Sequence, residues 1–121
     1  YTYVLCGDGD LMEGVSYEAL SFAGAQKLNK LILLYDDNNM SIDGSLETTF
    51  NEDIQKRFES MGFNVIIVKD GSNLSLIDKA ISSAKKSSKP SIIVCKTILG
   101  NGSYNQNTNQ VDHYRKQTFI I

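Results

Sequence analysis

Tyr1-Thr2-Tyr3-Val4-Leu5-Cys6-Gly7-Asp8-Gly9-Asp10 and Leu31-Ile32-Leu33-Leu34-Tyr35-Asp36-Asp37-Asn38-Asn39-Met40 decide the fold of this chain. Each begins as a short apolar run with strand character and ends in turn-forming Gly, Asp or Asn. One helix-length segment separates them, so the pair reads as a βαβ unit with parallel strands. The carboxylate of Asp8 and the amide of Asn38 then fall at the carboxyl ends of two strands. In open α/β sheets that edge binds ligands. Both side chains are hard oxygen donors, suited to Mg²⁺ or Ca²⁺, and the main-chain carbonyl of Met40 offers a third. The glycines flanking Asp8 let a backbone approach a bulky anion. Alone, Asp8 and Asn38 would each read as turn residues. Paired at equivalent strand ends, they read as holding a divalent cation and a phosphorylated ligand.

Outward from this unit the alternation continues. Glu13–Asn29 is predicted helical, with Val15, Ala19, Leu20, Ala23 and Leu28 on its apolar face. Leu31–Tyr35 is nearly unbroken in apolarity, as in a strand covered on both sides. Asp37–Phe50 lacks periodicity and reads as a long loop, a common location for function. A short helix follows, with Asn51 as N-cap, Ile54, Phe58 and Met61 inward and Gly62 as its stop. Asn64–Val68 is a strand. Asn73 caps a helix over Leu74–Lys86 that buries Leu74, Ile77, Ile81 and Ala84, and Pro90 precedes a fourth strand, Ser91–Lys96. The tail from Thr97 is polar and holds the only histidine, His113. Four strands with intervening helices predict an α/β fold: a doubly wound, mainly parallel sheet with helices on both faces.

The 121 residues suffice for one core, and 41% hydrophobic content is ordinary for a globular domain. A net charge of -2 leaves no basic footprint for nucleic acid. No apolar run approaches a membrane span, and no signal peptide is visible. Cys6 and Cys95 both fall in predicted buried strands and read as small core residues rather than a disulfide. Two cysteines and one histidine make a structural zinc site a poor expectation. The chain opens inside a strand without an initiator Met, so residues 1–121 are expected to be a single partial domain of a longer chain.

Gly7-Asp8-Gly9-Asp10-Leu11-Met12-Glu13-Gly14-Val15-Ser16-Tyr17-Glu18-Ala19 and Leu31-Ile32-Leu33-Leu34-Tyr35-Asp36-Asp37-Asn38-Asn39-Met40-Ser41-Ile42-Asp43-Gly44 together closely resemble transketolase. The Gly-Asp-Gly start with an asparagine about thirty residues later is similar to the thiamin diphosphate signature of a whole superfamily. The Met-Glu-Gly-Val-Ser-Tyr-Glu-Ala and Asp-Asp-Asn-x-x-Ser-Ile-Asp-Gly stretches narrow the likeness to transketolases. Lys96-Thr97-Ile98-Leu99-Gly100-Asn101-Gly102-Ser103 extends it, so it runs from Tyr1 to about Ser103.

The resemblance implies a diphosphate-binding domain holding thiamin diphosphate and Mg²⁺ or Ca²⁺. It puts the metal on Asp8, Asn38 and Met40, and the cofactor on Gly9 and Asn38. It matches Glu13 to a glutamate of an acidic network between subunits; Glu13 reads equally as a first-turn residue favoured by the helix dipole. By spacing, it matches His113 to a histidine that contacts cofactor and substrate, although Tyr114-Arg115-Lys116 stands where the family has Gly-Ala-Pro. The implied activity is transfer of a two-carbon ketol unit between sugar phosphates in the pentose phosphate pathway, by a cytoplasmic homodimer. The pyrimidine-binding domain that completes such sites is missing from this chain, which alone is expected to be inactive. Two alternatives remain at this level. One is another thiamin diphosphate enzyme, of the dehydrogenase E1 or deoxyxylulose phosphate synthase type. The other is a non-catalytic binding domain of the same fold. A dinucleotide-binding Rossmann domain is disfavoured, since Gly7-Asp8-Gly9 lacks the third glycine of that fingerprint.

Overall fold

Aliphatic runs bounded by turn residues become four parallel strands. The structure, a computed structural model, describes residues 1–38, 40–41, 44–45 and 51–103, the two short middle pieces by their main chain. The order is β1 (Thr2–Gly7), α1 (Asp8–Met12), α2 (Gly14–Ala25), β2 (Leu31–Asp37), β3 (Met40–Ser41), β4 (Gly44–Ser45), α3 (Ile54–Ser60), β5 (Asn64–Val68), α4 (Leu74–Ala84) and β6 (Ser91–Lys96). The main sheet is ordered β1-β2-β6-β5, and β3 pairs with β4 as a separate antiparallel ribbon.

Crossover handedness explains which face each helix covers. The chain steps one way across the sheet from β1 to β2 to β5, then reverses from β5 to β6. Right-handed crossovers therefore place α1, α2 and α3 on one face and α4 on the other. Two cores result. One joins Leu33, Tyr35, Ile92 and Val94 to Leu11, Leu20, Ala23, Phe58 and Phe63. The other joins Ile32, Ile93, Val68 and Cys95 to Ala80 and Ala84. Ile32, Ile92 and Ile93 are fully buried in the central strands, each contributing about 1.5–3 kcal/mol by leaving water. Phe58 and Phe63 pack edge to face at 5.2 Å. Cys6 and Cys95 are both free and belong to opposite faces of the sheet. Among the described residues no helix is long and apolar enough to cross a membrane.

Several local expectations are corrected. The first helical segment is two helices, because Asp8 to Met12 already turns helical and the chain breaks at Glu13. Asp8 and Asp10 in the first turn favour that short helix electrostatically, and buried Leu11 ties it to the core. α2 stops at Ala25 rather than near Asn29. Lys27 takes a left-handed conformation there (φ 51°). Leu28 N–H donates to Ala23 O and Lys27 N–H to Gly24 O, a Schellman end without the usual glycine. On α2, Leu20 and Ala23 face the core, whereas Val15 and Ala19 are exposed, as is Leu28 beyond the helix end. Asp53, not Asn51, caps α3 by accepting from Lys56 N–H at 3.0 Å. Leu74, expected inside, is 81% exposed. Part of the expected loop after Asp37 is the β3–β4 ribbon.

Candidate metal centre

The parallel register of β1 and β2 sets Cys6 beside Tyr35 and Gly7 beside Asp36. Where β1 ends, α1 begins at once, so the side chain of Asp8 stays over the carboxyl edge of the sheet. Asp10 holds this turn by accepting from Gly7 N–H at 2.9 Å. Asp8 is only 3% exposed. Its Oδ1 accepts a short hydrogen bond from the Tyr35 hydroxyl, while its Oδ2 is buried with no hydrogen-bond partner. Burial pushes the Asp8 carboxyl above the ordinary carboxylate range, and Asp37 and Asp36 push the same way. The Tyr35 hydrogen bond and Lys96 pull it back. Burial, and next Asp8, raise the Tyr35 phenol, so it keeps its proton and remains a donor.

Across the edge, half-buried Asn38 donates its Nδ2 to Asp36 Oδ2 at 3.0 Å. Asp36 Oδ1 accepts from the Thr97 hydroxyl, and Asp37 pairs with Lys96. Three carboxylates thus share this corner with one lysine, and that lysine is committed to Asp37. An ionised carboxylate oxygen sealed from water without a donor is costly unless a cation meets it. The orphaned Asp8 Oδ2 and an amide whose nitrogen is already engaged fit a small hard cation. β3, which contains Met40, lies against α1, so the main chain of the third expected donor runs close to the helix of Asp8.

Gly9 is exposed at the second position of α1. Glu13 is exposed between α1 and α2, and its carbonyl accepts from Ser16 and Tyr17 N–H. His113 lies outside the described residues. Beside the Asp36–Thr97 pair opens a cleft of about 620 Å³, lined by Gly7, Asp10, Leu34, Asp36, Leu74 and Thr97 among others. Sequence reasoning missed Tyr35, Asp36 and Thr97. A tyrosine ending an aliphatic strand was the available signal, since a buried phenol needs a partner. Thr97 lies 61 residues from Asp36, and only the β2–β6 register brings them together.

Residues 1–115 match the family model described as transketolase, thiamine diphosphate binding domain. The chain is 52% identical over 126 residues to a transketolase of Staphylococcus aureus, covering 98% of this chain and 19% of that one. A transketolase structure from Leishmania mexicana superposes with a TM-score of 0.89 at 49% identity, over 93% of this chain and 17% of the other. A Pichia stipitis transketolase in complex with sedoheptulose-7-phosphate gives 0.89 at 46%, over 93% and 17%. The chain therefore spans less than a fifth of the length of these relatives. A parallel α/β sheet matching theirs, and the identity along nearly all of this sequence, establish that the chain belongs to the transketolase family and carries its thiamine diphosphate binding domain.

Proposed function

We propose that this chain anchors thiamin diphosphate through Mg²⁺ or Ca²⁺ for the transfer of a two-carbon ketol unit from a ketose phosphate to an aldose phosphate. The observation that carries the reading is the buried, unpartnered Asp8 Oδ2 at the strand edge it shares with Asn38. Asp8, Asn38 and the Met40 carbonyl would hold the metal, with the exposed, side-chain-free Gly9 beside the diphosphate. When bound, the cofactor supplies the carbanion and electron-sink chemistry of the transfer. The residues of this chain bind, orient and neutralise. The Asp8 carboxylate supplies negative charge to the cation, Tyr35 fixes its orientation, and Asn38 adds a neutral oxygen. His113 is assigned to cofactor and substrate by its family position, and Glu13 to the contact between subunits.

The sugar-phosphate assignment draws on the Pichia stipitis relative, whose structure is of a complex with sedoheptulose-7-phosphate. The reading includes a cytoplasmic homodimer acting in the pentose phosphate pathway, with the partner subunit supplying the pyrimidine-binding domain. Exposed Val15, Ala19 and Phe22 support an interface on α2, since they recur at helical spacing on a face turned from the core. On this reading the 121 residues alone bind weakly and catalyse nothing.

Calorimetric titration of the full-length protein with thiamin diphosphate, with and without Mg²⁺, tests the proposal. Metal-dependent binding that is lost in Asp8→Ala is expected, together with ketol transfer by the wild type. Equal cofactor binding without metal, or without Asp8, refutes the anchoring role. Metal-dependent binding without ketol transfer would point to the non-catalytic alternative.

A further inference from the structure

We infer that Asp36 is a positioning residue that fixes which end of the Asn38 amide faces the metal. Resting on the metal site proposed above, the inference assigns a role to a residue outside its ligand set. Asp36 is held from both sides. Its Oδ1 accepts from the hydroxyl of Thr97, at the end of the neighbouring strand β6, and its Oδ2 accepts from Asn38 Nδ2 at 3.0 Å. An ionised carboxylate is an acceptor only, so it can face the NH₂ of an amide but not its oxygen. A flipped Asn38 would set Oδ1 against Asp36 Oδ2, two acceptors in contact. The carboxylate therefore selects one of two amide orientations that differ little in shape. The selected one turns Asn38 Oδ1, the hard donor, away from Asp36.

Thr97 is itself held in place. Its N–H donates to Asp37 O at 3.1 Å. The turn at Gly71 presses on it so closely that a Cβ there would come within 2.6 Å of Thr97 Cγ2. Gly71 N–H also donates to Lys96 O at 2.8 Å. The chain of support therefore runs from the turn before α4 through Thr97 and Asp36 to Asn38. It also separates three neighbouring carboxylates by task. Asp8 offers a free oxygen to the metal, Asp37 takes Lys96, and Asp36 orients the amide. Outer partners of this kind commonly change metal affinity by about 10–100-fold when removed.

The test is Mn²⁺ binding to the full-length protein in the presence of thiamin diphosphate, followed by the EPR signal of free Mn²⁺. Asp36→Ala is expected to raise the Mn²⁺ dissociation constant by about 10–100-fold. Ketol transfer by this variant should rise as Mn²⁺ is raised, a metal dependence that general loosening of the fold would not give. Asp36→Asn presents a donor as well as an acceptor, no longer excludes the flipped amide, and is expected to recover only part of the loss. Thr97→Val, which removes the hydroxyl but keeps the shape, gives a smaller loss in the same direction. Wild-type Mn²⁺ affinity in Asp36→Ala overturns the inference. Should that variant not fold, wild-type affinity in Thr97→Val overturns it instead. Asp8→Ala separates the two levels. If Asp8→Ala keeps full affinity, the metal site itself is wrong. If it loses affinity while Asp36→Ala does not, only the positioning role falls.

Discussion

A tyrosine hydroxyl holds one oxygen of Asp8 while the other is left bare, and this asymmetry defines the site at the scale of single residues. Tyr35 is 2% exposed, so its hydroxyl cannot be replaced by bulk water. Tyr35→Phe would leave both Asp8 oxygens without a donor in the metal-free protein. We expect a loss of about 1–3 kcal/mol in urea unfolding, the cost of an unsatisfied buried polar group. An unchanged midpoint would show that the hydrogen bond adds nothing. Asp8 and Asn38 were legible in the sequence as candidates because they follow apolar runs and sit next to turn residues. The donors were not. Tyr35 reads as one more apolar strand residue, and Thr97 reads as the first residue of a polar tail. Their roles come from strand register, which no local pattern encodes.

At the scale of elements, the C-terminal end of α2 carries two substitutions of opposite expected sign. Gly24 faces the end of α3, where an added Cβ would come within 1.8 Å of the Met61 carbonyl oxygen. Main chain cannot give way as a side-chain tip can, so Gly24→Ala should destabilise by about 1–3 kcal/mol or more through overpacking. Two residues past the helix, Lys27 holds a left-handed conformation that costs a non-glycine residue about 1–2 kcal/mol, and Lys27→Gly should recover about 1 kcal/mol of it. Thermal unfolding of the two variants checks both, and a stabilising Gly24→Ala or a destabilising Lys27→Gly would contradict this packing. The same residues show why helix ends were the least legible feature. Gly62 (φ 89°) ends α3 as a glycine should, and there the sequence reading agreed. The stop at Lys27 has no such marker, so the predicted helix ran on to Asn29. The exposed Val15 and Ala19 misled in another way. They extend an apolar pattern around α2, and the face opposite Leu20 meets nothing among the described residues.

On the scale of the whole molecule, strand count and parallel arrangement were legible because a βαβα alternation admits few topologies once crossovers are right-handed. Strand order was not, since β6 slots between β2 and β5 through contacts distant in sequence. This order leaves β1 at the edge of the sheet, with Tyr3, Val4 and Leu5 exposed and Leu5 at 80%. An apolar strand edge is a template for further pairing. The 121-residue chain should therefore self-associate, with light scattering that rises with concentration and falls in Leu5→Lys. Scattering that is flat with concentration in the wild type would contradict this. On the proposed function, Asp8 and Asn38 build a metal anchor for the cofactor on the carboxyl edge of this sheet. The most direct measurement is an anomalous-difference map of the full-length protein crystallised with Mn²⁺ and thiamin diphosphate. A peak is expected within coordinating distance of Asp8 Oδ2, Asn38 Oδ1 and the Met40 carbonyl. A map with no peak there, and Asp8 Oδ2 hydrogen-bonded to a protein donor instead, would contradict it.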